Sequence, residues 1–290
     1  MQRLAPSPFP SLPYNSLLGK TVAKLGTLTP LGTGGWMATS ERETAGYLWE
    51  HNGKLILLDA GSGIRRLENP DLLKRFQGHE KIYLFLSHYH LDHVVGLTYL
   101  ERFLLPSQTL VVCAPDRMLV YYDPEEAINK ILCMPLYPRP LHFLPFHSEI
   151  RELHIGENSI DGIDVTVWPQ KHSDGSIGFA FGNNLAYVTD TSVLNRALSS
   201  CNGVRWLLHE VYYDEQDVAE LNSSNRSGQI GHHSIDTETA EFALQCAAGK
   251  LIPIHFHPGH SKARFDAQIV RLEDSGLDVV VPYDSIPISL

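Results

Sequence analysis

Cysteine is scarce in this chain and never paired: Cys113, Cys133, Cys201 and Cys246 lie far apart, with no Cys-x-x-Cys motif. That pattern excludes a disulfide framework and a thiolate zinc site. Each cysteine is expected to be a small buried apolar residue in a reducing cytoplasm. Long apolar runs are missing too, and no stretch approaches the roughly 18 uninterrupted apolar residues of a membrane span. The start, MQRLAPSPFPSLPYNSLLGK, lacks the apolar core of a leader peptide. It reads as a loosely held arm over residues 1–20, ahead of a single domain over 21–290. Positive charge is in short supply: 23 Lys and Arg against 33 Asp and Glu leave a net charge of −10. A broad nucleic-acid footprint needs the opposite balance.

Histidine is what the chain has in excess. Nine of its 15 histidines fall in four places, at 88/90/93, 172, 232/233 and 255/257/260. Short apolar runs and helical patterns alternate around them. GYLWE and KLILLDAG read as strands joined by a turn at 51–53, while KIYLFLS and TLVVCAP are apolar runs too short for helices, hence buried strands. IDVTVWP alternates as a strand should, and SIGFAFGNNLAYVTD reads as a hairpin about 182–184. VRWLLHE and KLIPIHF are strands ending near Glu210 and His255. Helices are expected over VVGLTYLERFLLP, DPEEAINKIL and SKARFDAQIVRLEDSG, and over SIDTETAEFALQCAAG with Ser234 as N-cap and Gly249 as C-cap. Such interleaving predicts an α/β or α+β domain with two sheets and outer helices. Pro-rich 133–149 is expected to be loop or edge.

The segment SHYHLDHVVG puts His88, His90, Asp92 and His93 on the turn after a buried strand. In an extended segment His88 and His90 point the same way, and Asp92 and His93 reach the same cavity as the chain turns. Imidazole with carboxylate suits zinc, iron or manganese, zinc being the default. A solvated His-rich loop is the bland alternative. The segment resembles the H-x-H-x-D-H signature of the metallo-β-lactamase superfamily. That resemblance implies a single-domain, four-layer αβ/βα sandwich with two divalent metal ions at one edge of its sheets. It asks for a histidine, a bridging aspartate and a last histidine at later strand ends; His172, Asp190 and His255 stand in that order. The resemblance then assigns His88, His90 and His172 to one metal and Asp92, His93 and His255 to the other, with Asp190 shared. A hydroxide between the two ions would be the nucleophile. Asp59, ending LILLD, would orient a ligand histidine or merely open a Gly-rich turn.

GHHS, ending at Ser234, resembles the G-H-S-T motif of the ribonuclease Z branch, with His233 as its histidine. LLHE resembles the H-E-A-T motif of that branch, with Glu210 as its glutamate. The resemblance implies that His233, steadied by Glu210, protonates a leaving alkoxide while Asp92 orients or deprotonates the attacking water. The alternative is that His233 only caps the following helix. His257 and His260, past the last ligand, are expected to be exposed, the alternative being a place on the substrate side. Where ribonuclease Z commonly carries its tRNA arm, this chain has only the hairpin residues 173–189, which disfavours tRNA as a partner. The expected function is metal-dependent hydrolysis of a small or cyclic phosphodiester or a short nucleic acid. A hydrolase of lactones, thioesters or amides, a ribonuclease Z-type tRNA 3′ endonuclease and a non-catalytic metal-binding or carrier protein remain open. No membrane partner is expected, and the 133–149 loop packs on the surface, covers the site or forms a homodimer contact.

Overall fold

Among the described residues, 26–224 and 226–290 of the computed structural model, thirteen strands form two sheets. In chain order they are β1 (Thr27–Gly32), β2 (Gly46–His51), β3 (Lys54–Leu58), β4 (Lys81–Phe85), β5 (Thr109–Pro115), β6 (His147–Leu153) and β7 (Gly156–Ile160). There follow β8 (Ile163–Gln170), β9 (Ser176–Phe181), β10 (Leu185–Val188), β11 (Trp206–Glu210), β12 (Lys250–Ile254) and β13 (Ile288–Ser289). The first sheet runs β13-β1-β2-β3-β4-β5-β6 and the second β12-β11-β10-β9-β8-β7. The expected arm at 1–20 lies outside the described residues.

The alternation of side chains along each strand decides which core a residue enters. On β3, Ile56 and Leu58 face the second sheet while Leu55 and Leu57 face helices; on β10, Leu185 and Tyr187 face the first sheet while Ala186 and Val188 turn outward. Helix Pro70–Gln77 covers the outside of the first sheet through Leu72 and Phe76. Helices Asp236–Gln245 and Lys262–Asp274 cover the second through Phe242, Ala243, Ile269 and Leu272. These are the four layers of the expected αβ/βα sandwich. Parallel pairing joins β3 to β4 in one sheet and β10, β11 and β12 in the other, so their C-terminal ends gather at one edge. Ligand sites of parallel sheets lie beyond such ends.

Three local expectations are corrected. Instead of one helix, 91–103 forms short helical turns, Leu91–Val94, Val95–Tyr99 and Leu100–Phe103. The loop after β3 draws the backbone away: Ala60 N–H donates to His93 C=O at 2.8 Å, and Gly96 N–H to Ala60 C=O at 2.7 Å. The helix expected from Ser234 to Gly249 is Asp236–Gln245, capped by Ile235 and Cys246. Ser234 is tied elsewhere, its Oγ donating to Thr191 C=O at 2.6 Å, and Ala247 takes the left-handed turn at φ 49°. Cys133 is only half-buried, whereas the other three cysteines are buried.

Phe179 is fully buried between the sheets, its ring 5.8 Å from Phe85 and 5.2 Å from Tyr187. Phe179→Ala is expected to cost about 3–5 kcal/mol of stability, the usual range for a truncated core aromatic. Urea denaturation checks it, and a loss under about 1 kcal/mol would mean that the two sheets do not pack closely here.

Candidate metal centre

Three residues beyond strand ends adopt left-handed backbone: Asp59 after β3 (φ 57°), Asp190 after β10 (φ 48°) and His255 after β12 (φ 56°). Non-glycine residues there store of order 1–3 kcal/mol of strain each, and such residues concentrate at functional sites. The turn aims each side chain into the edge where the sheets meet. The loop after β4 supplies His88, His90, Asp92 and His93, and the loop after β8 supplies His172.

Hydrogen bonds away from the centre set which nitrogen of each ring faces it. Buried Asp59 accepts from Ser87 Oγ at 2.8 Å, His93 Nδ1 at 2.7 Å and Tyr187 Oη at 2.7 Å. Because Ser87 Oγ gives its proton to Asp59, His88 Nδ1 must donate to Ser87 Oγ, 3.0 Å away. Both rings therefore turn bare Nε2 atoms inward. His172 Nδ1 donates to His232 C=O at 2.9 Å, again freeing Nε2. His90 turns the opposite nitrogen inward, since its Nε2 faces Asp174 Oδ2 at 3.4 Å.

These bare nitrogens crowd together. His90 Nδ1 lies 3.1 Å from His172 Nε2, and His93 Nε2 lies 3.3 Å from His255 Nε2. Asp190 stands between the sets: Oδ1 is 3.6 Å from His172 Nε2 and 4.0 Å from His88 Nε2, while Oδ2 is 3.1 Å from His93 Nε2 and 3.2 Å from His255 Nε2. Asp92 Oδ2 is 3.3 Å from His93 Nε2 and 3.4 Å from His255 Nε2. His88 Nε2 is buried with no hydrogen-bond partner among the described residues. Facing lone pairs and an orphaned buried nitrogen call for a cation. The electrostatics agree. Burial alone would raise the Asp190 carboxyl, yet the rings of His255, His93 and His88 hold it well below its usual range. Burial disfavours a charged His255, yet Asp190, Asp92 and Glu210 push it up to about 10, so without a metal this ring holds a proton where a cation would bind. The structure thus brings all seven side chains expected from the sequence into one cluster whose donors fit a pair of divalent ions.

Glu210, the last residue of β11, is fully buried beside this cluster. Its Oε1 accepts from Thr191 N–H at 2.7 Å and Ser234 N–H at 3.0 Å, and Oε2 faces His233 Nδ1 at 3.0 Å. Burial would raise this carboxyl, but His233 and then His255 bring it down to about 2. His233 does not cap the next helix. Its ring stacks on Tyr212 at 4.2 Å and 22° and lines a cavity of about 580 Å³ with His90, Asp92, His172 and Asp190.

Sequence reading missed several wall residues. Trp36 lines the cavity and donates its backbone N–H to Asp92 Oδ2 at 2.7 Å. A Cβ on neighbouring Gly35 would stand 2.4–2.6 Å from atoms of the His255 ring, so only glycine lets that ring sit there. The glycines of GTGGW and the tyrosines after LLHE were the available signals. The side chain of His260, expected to be exposed, is buried instead, with Nε2 at 2.7 Å from Asp217 Oδ2 and Nδ1 at 3.1 Å from Gln268 Oε1. Helix Glu215–Ser223 brings Asp217 against it. His257 is half-buried in the cavity wall, 4.6 Å from the Tyr212 ring. Pro-rich 133–149 contributes nothing to that wall.

Comparison with known proteins adds three findings. A family model described as the beta-lactamase superfamily domain matches residues 54–256. Ribonuclease Z of Thermococcus sibiricus is 33% identical over 158 residues, 53% of this chain and 47% of that relative; ribonuclease Z of Azobacteroides pseudotrichonymphae is 23% identical over 278 residues, 84% and 91%. The chain thus spans about half the length of the first and most of the second. Among solved structures, a diphosphatase from the PhnP family superposes with a TM-score of 0.67 at 17% identity, covering 91% of this chain and 98% of that one. Human tRNase Z, short form, superposes with a TM-score of 0.65 at 20% identity over the same shares. At such identities the likeness is one of fold. Among the described residues no helix is long and apolar enough to cross a membrane.

Two substitutions away from the cluster test whether its geometry serves a metal. Asp59→Asn is expected to weaken metal affinity about 10–100-fold, the usual effect of removing a carboxylate behind a ligand histidine. Gly35→Ala is expected to displace His255 and lower bound metal while circular dichroism stays native. Elemental analysis at limiting metal reads both, and full retention by both variants would contradict a metal role.

Proposed function

This chain belongs to the beta-lactamase superfamily, and we propose that it is a metal-dependent phosphodiesterase acting on a small or cyclic phosphodiester or a short nucleic acid. The observation that carries the reading is the His233–Glu210 pair on the cavity side of the centre, at 3.0 Å. His88, His90 and His172 would hold one divalent ion, Asp92, His93 and His255 the other, and Asp190 both, with zinc the default for such donors. Bound there, the ions would lower the pKa of water and neutralise phosphoryl oxygens.

The chain's own groups do the rest. Asp92 Oδ2, fixed by the Trp36 N–H, orients the attacking water and accepts its proton. His233 has Nδ1 bound to Glu210, which leaves Nε2 to face the substrate. As water adds to phosphorus and the bond to the departing oxygen breaks, His233 passes a proton to that oxygen. Buried Glu210 stabilises the charged ring and holds its orientation, since its other oxygen is pinned by two backbone donors. Tyr212 backs the ring and stops it from swinging away. The modest cavity, with Asp217 and Glu220 in its wall, suits a small substrate better than a long polyanion. Unpaired cysteines agree with a reducing cytoplasm as the setting.

Turnover of bis(p-nitrophenyl) phosphate by the metal-loaded chain, set beside lactone and thioester panels, tests the reading. His233→Ala is expected to lower kcat on the phosphodiester about 10²–10⁴-fold with metal content unchanged. Hydrolysis of a lactone or thioester with no action on the phosphodiester would overturn the assignment in favour of a carboxylic-ester hydrolase.

A further inference from the structure

A second cavity of about 670 Å³ adjoins the first, the two sharing His172 and Ser173 in their walls. The first is walled in part by Asp92, Asp190, Asp217 and Glu220 together with Arg226; the second has no carboxylate in its wall and presents Lys171 and Arg196. Asp174, on the same loop as Ser173, turns to His90 and lines a different hollow.

Some cations on this acidic chain are taken up by carboxylates, as Lys81 is by Asp161, Lys250 by Asp278 and Arg271 by Asp236. Among the described residues, Lys171 and Arg196 of the second cavity form no ion pair, and neither does Arg226 of the first. Lys171 and Arg196 are both exposed, and the backbone of Lys171 is anchored. Its N–H donates to Thr191 Oγ1 at 3.2 Å, its C=O accepts from Ser192 N–H at 3.2 Å, and its Nζ comes 3.4 Å from where a Cβ on Gly231 would stand. That places the ammonium beside the loop leading to His233. Two free cations in a carboxylate-free hollow that opens onto His172 form a receptor for an anion held next to the reacting group.

We infer that this second cleft seats a further phosphate of the substrate, so that the preferred phosphodiester carries an additional terminal phosphate on the arm running past His172. The inference rests on the phosphodiesterase reading and narrows its substrate class.

The test compares two esters that differ by one phosphate: the 5′-p-nitrophenyl ester of thymidine 5′-monophosphate and the same ester phosphorylated at the 3′ oxygen. At low salt the metal-loaded chain is expected to favour the second in kcat/KM by about tenfold, a factor that two screened ion contacts can supply. The preference should shrink as salt rises. Lys171→Ala with Arg196→Ala should bring the two values close together, whereas Lys171→Arg should keep most of the preference. Equal kcat/KM in the unaltered chain, or a preference that the double variant retains, overturns the second cleft alone. Failure to cleave either ester or bis(p-nitrophenyl) phosphate overturns the phosphodiesterase reading and the second cleft with it.

Discussion

Buried Asp59 is the contact on which the metal edge depends. It sits at the end of β3 in one sheet and accepts a hydrogen bond from Tyr187, on β10 of the other, at 2.7 Å. The same oxygen accepts from His93, and through Ser87 it sets the tautomer of His88. One carboxylate therefore joins the two sheets and decides which nitrogens face the centre. A buried network of this kind is stabilising only when every member is satisfied. Here the outward atoms are satisfied by protein and the inward ones are not, which locates the demand for a cation at one point.

That demand also explains the strained backbone. Asp59, Asp190 and His255 all adopt positive φ, which together costs several kcal/mol, with Asp59 and Asp190 themselves carboxylates. A sandwich with buried alternation on both faces of its strands can offset this, because both sheet faces contribute apolar burial. Gly35 adds a steric condition to the electrostatic one, since its bare Cα leaves the only room for the His255 ring. Other left-handed residues, among them Asn52, Asp161 and Ala247, lie in turns elsewhere, but these three converge on the edge where chemistry is expected.

How much of this could be read from the sequence follows from the range of the interactions. Strands such as KIYLFLS were legible because period and length are local properties, and the H-x-H-x-D-H run because its residues are adjacent. Glu210 and His233 stood in motifs that resembled a known branch, so their pairing was expected across 23 residues. What escaped depended on contacts distant in sequence. His260 looked exposed because nothing near it announces Asp217, 43 residues earlier. Ser234 looked like an N-cap until Thr191 claimed its hydroxyl, 43 residues away. Trp36 and Gly35 carry no ligand chemistry themselves, and their bearing on Asp92 and His255 exists only once the sheets have closed.

Charge balance connects the centre to its surroundings. Two divalent ions amid Asp59, Asp92, Asp190 and Glu210 would be close to neutralised by those four carboxylates, all gathered within the same buried cluster. An edge so nearly neutral, on a chain of net charge −10, has little long-range pull on an anionic ester. The attraction must come from groups that the carboxylates leave uncompensated. His233 is tethered to Glu210 by one nitrogen only, and Lys171 and Arg196 stand in a hollow without acids. On the phosphodiesterase reading proposed above, substrate selection would be carried less by the metal ligands, whose charges largely cancel, than by the cations placed beside them.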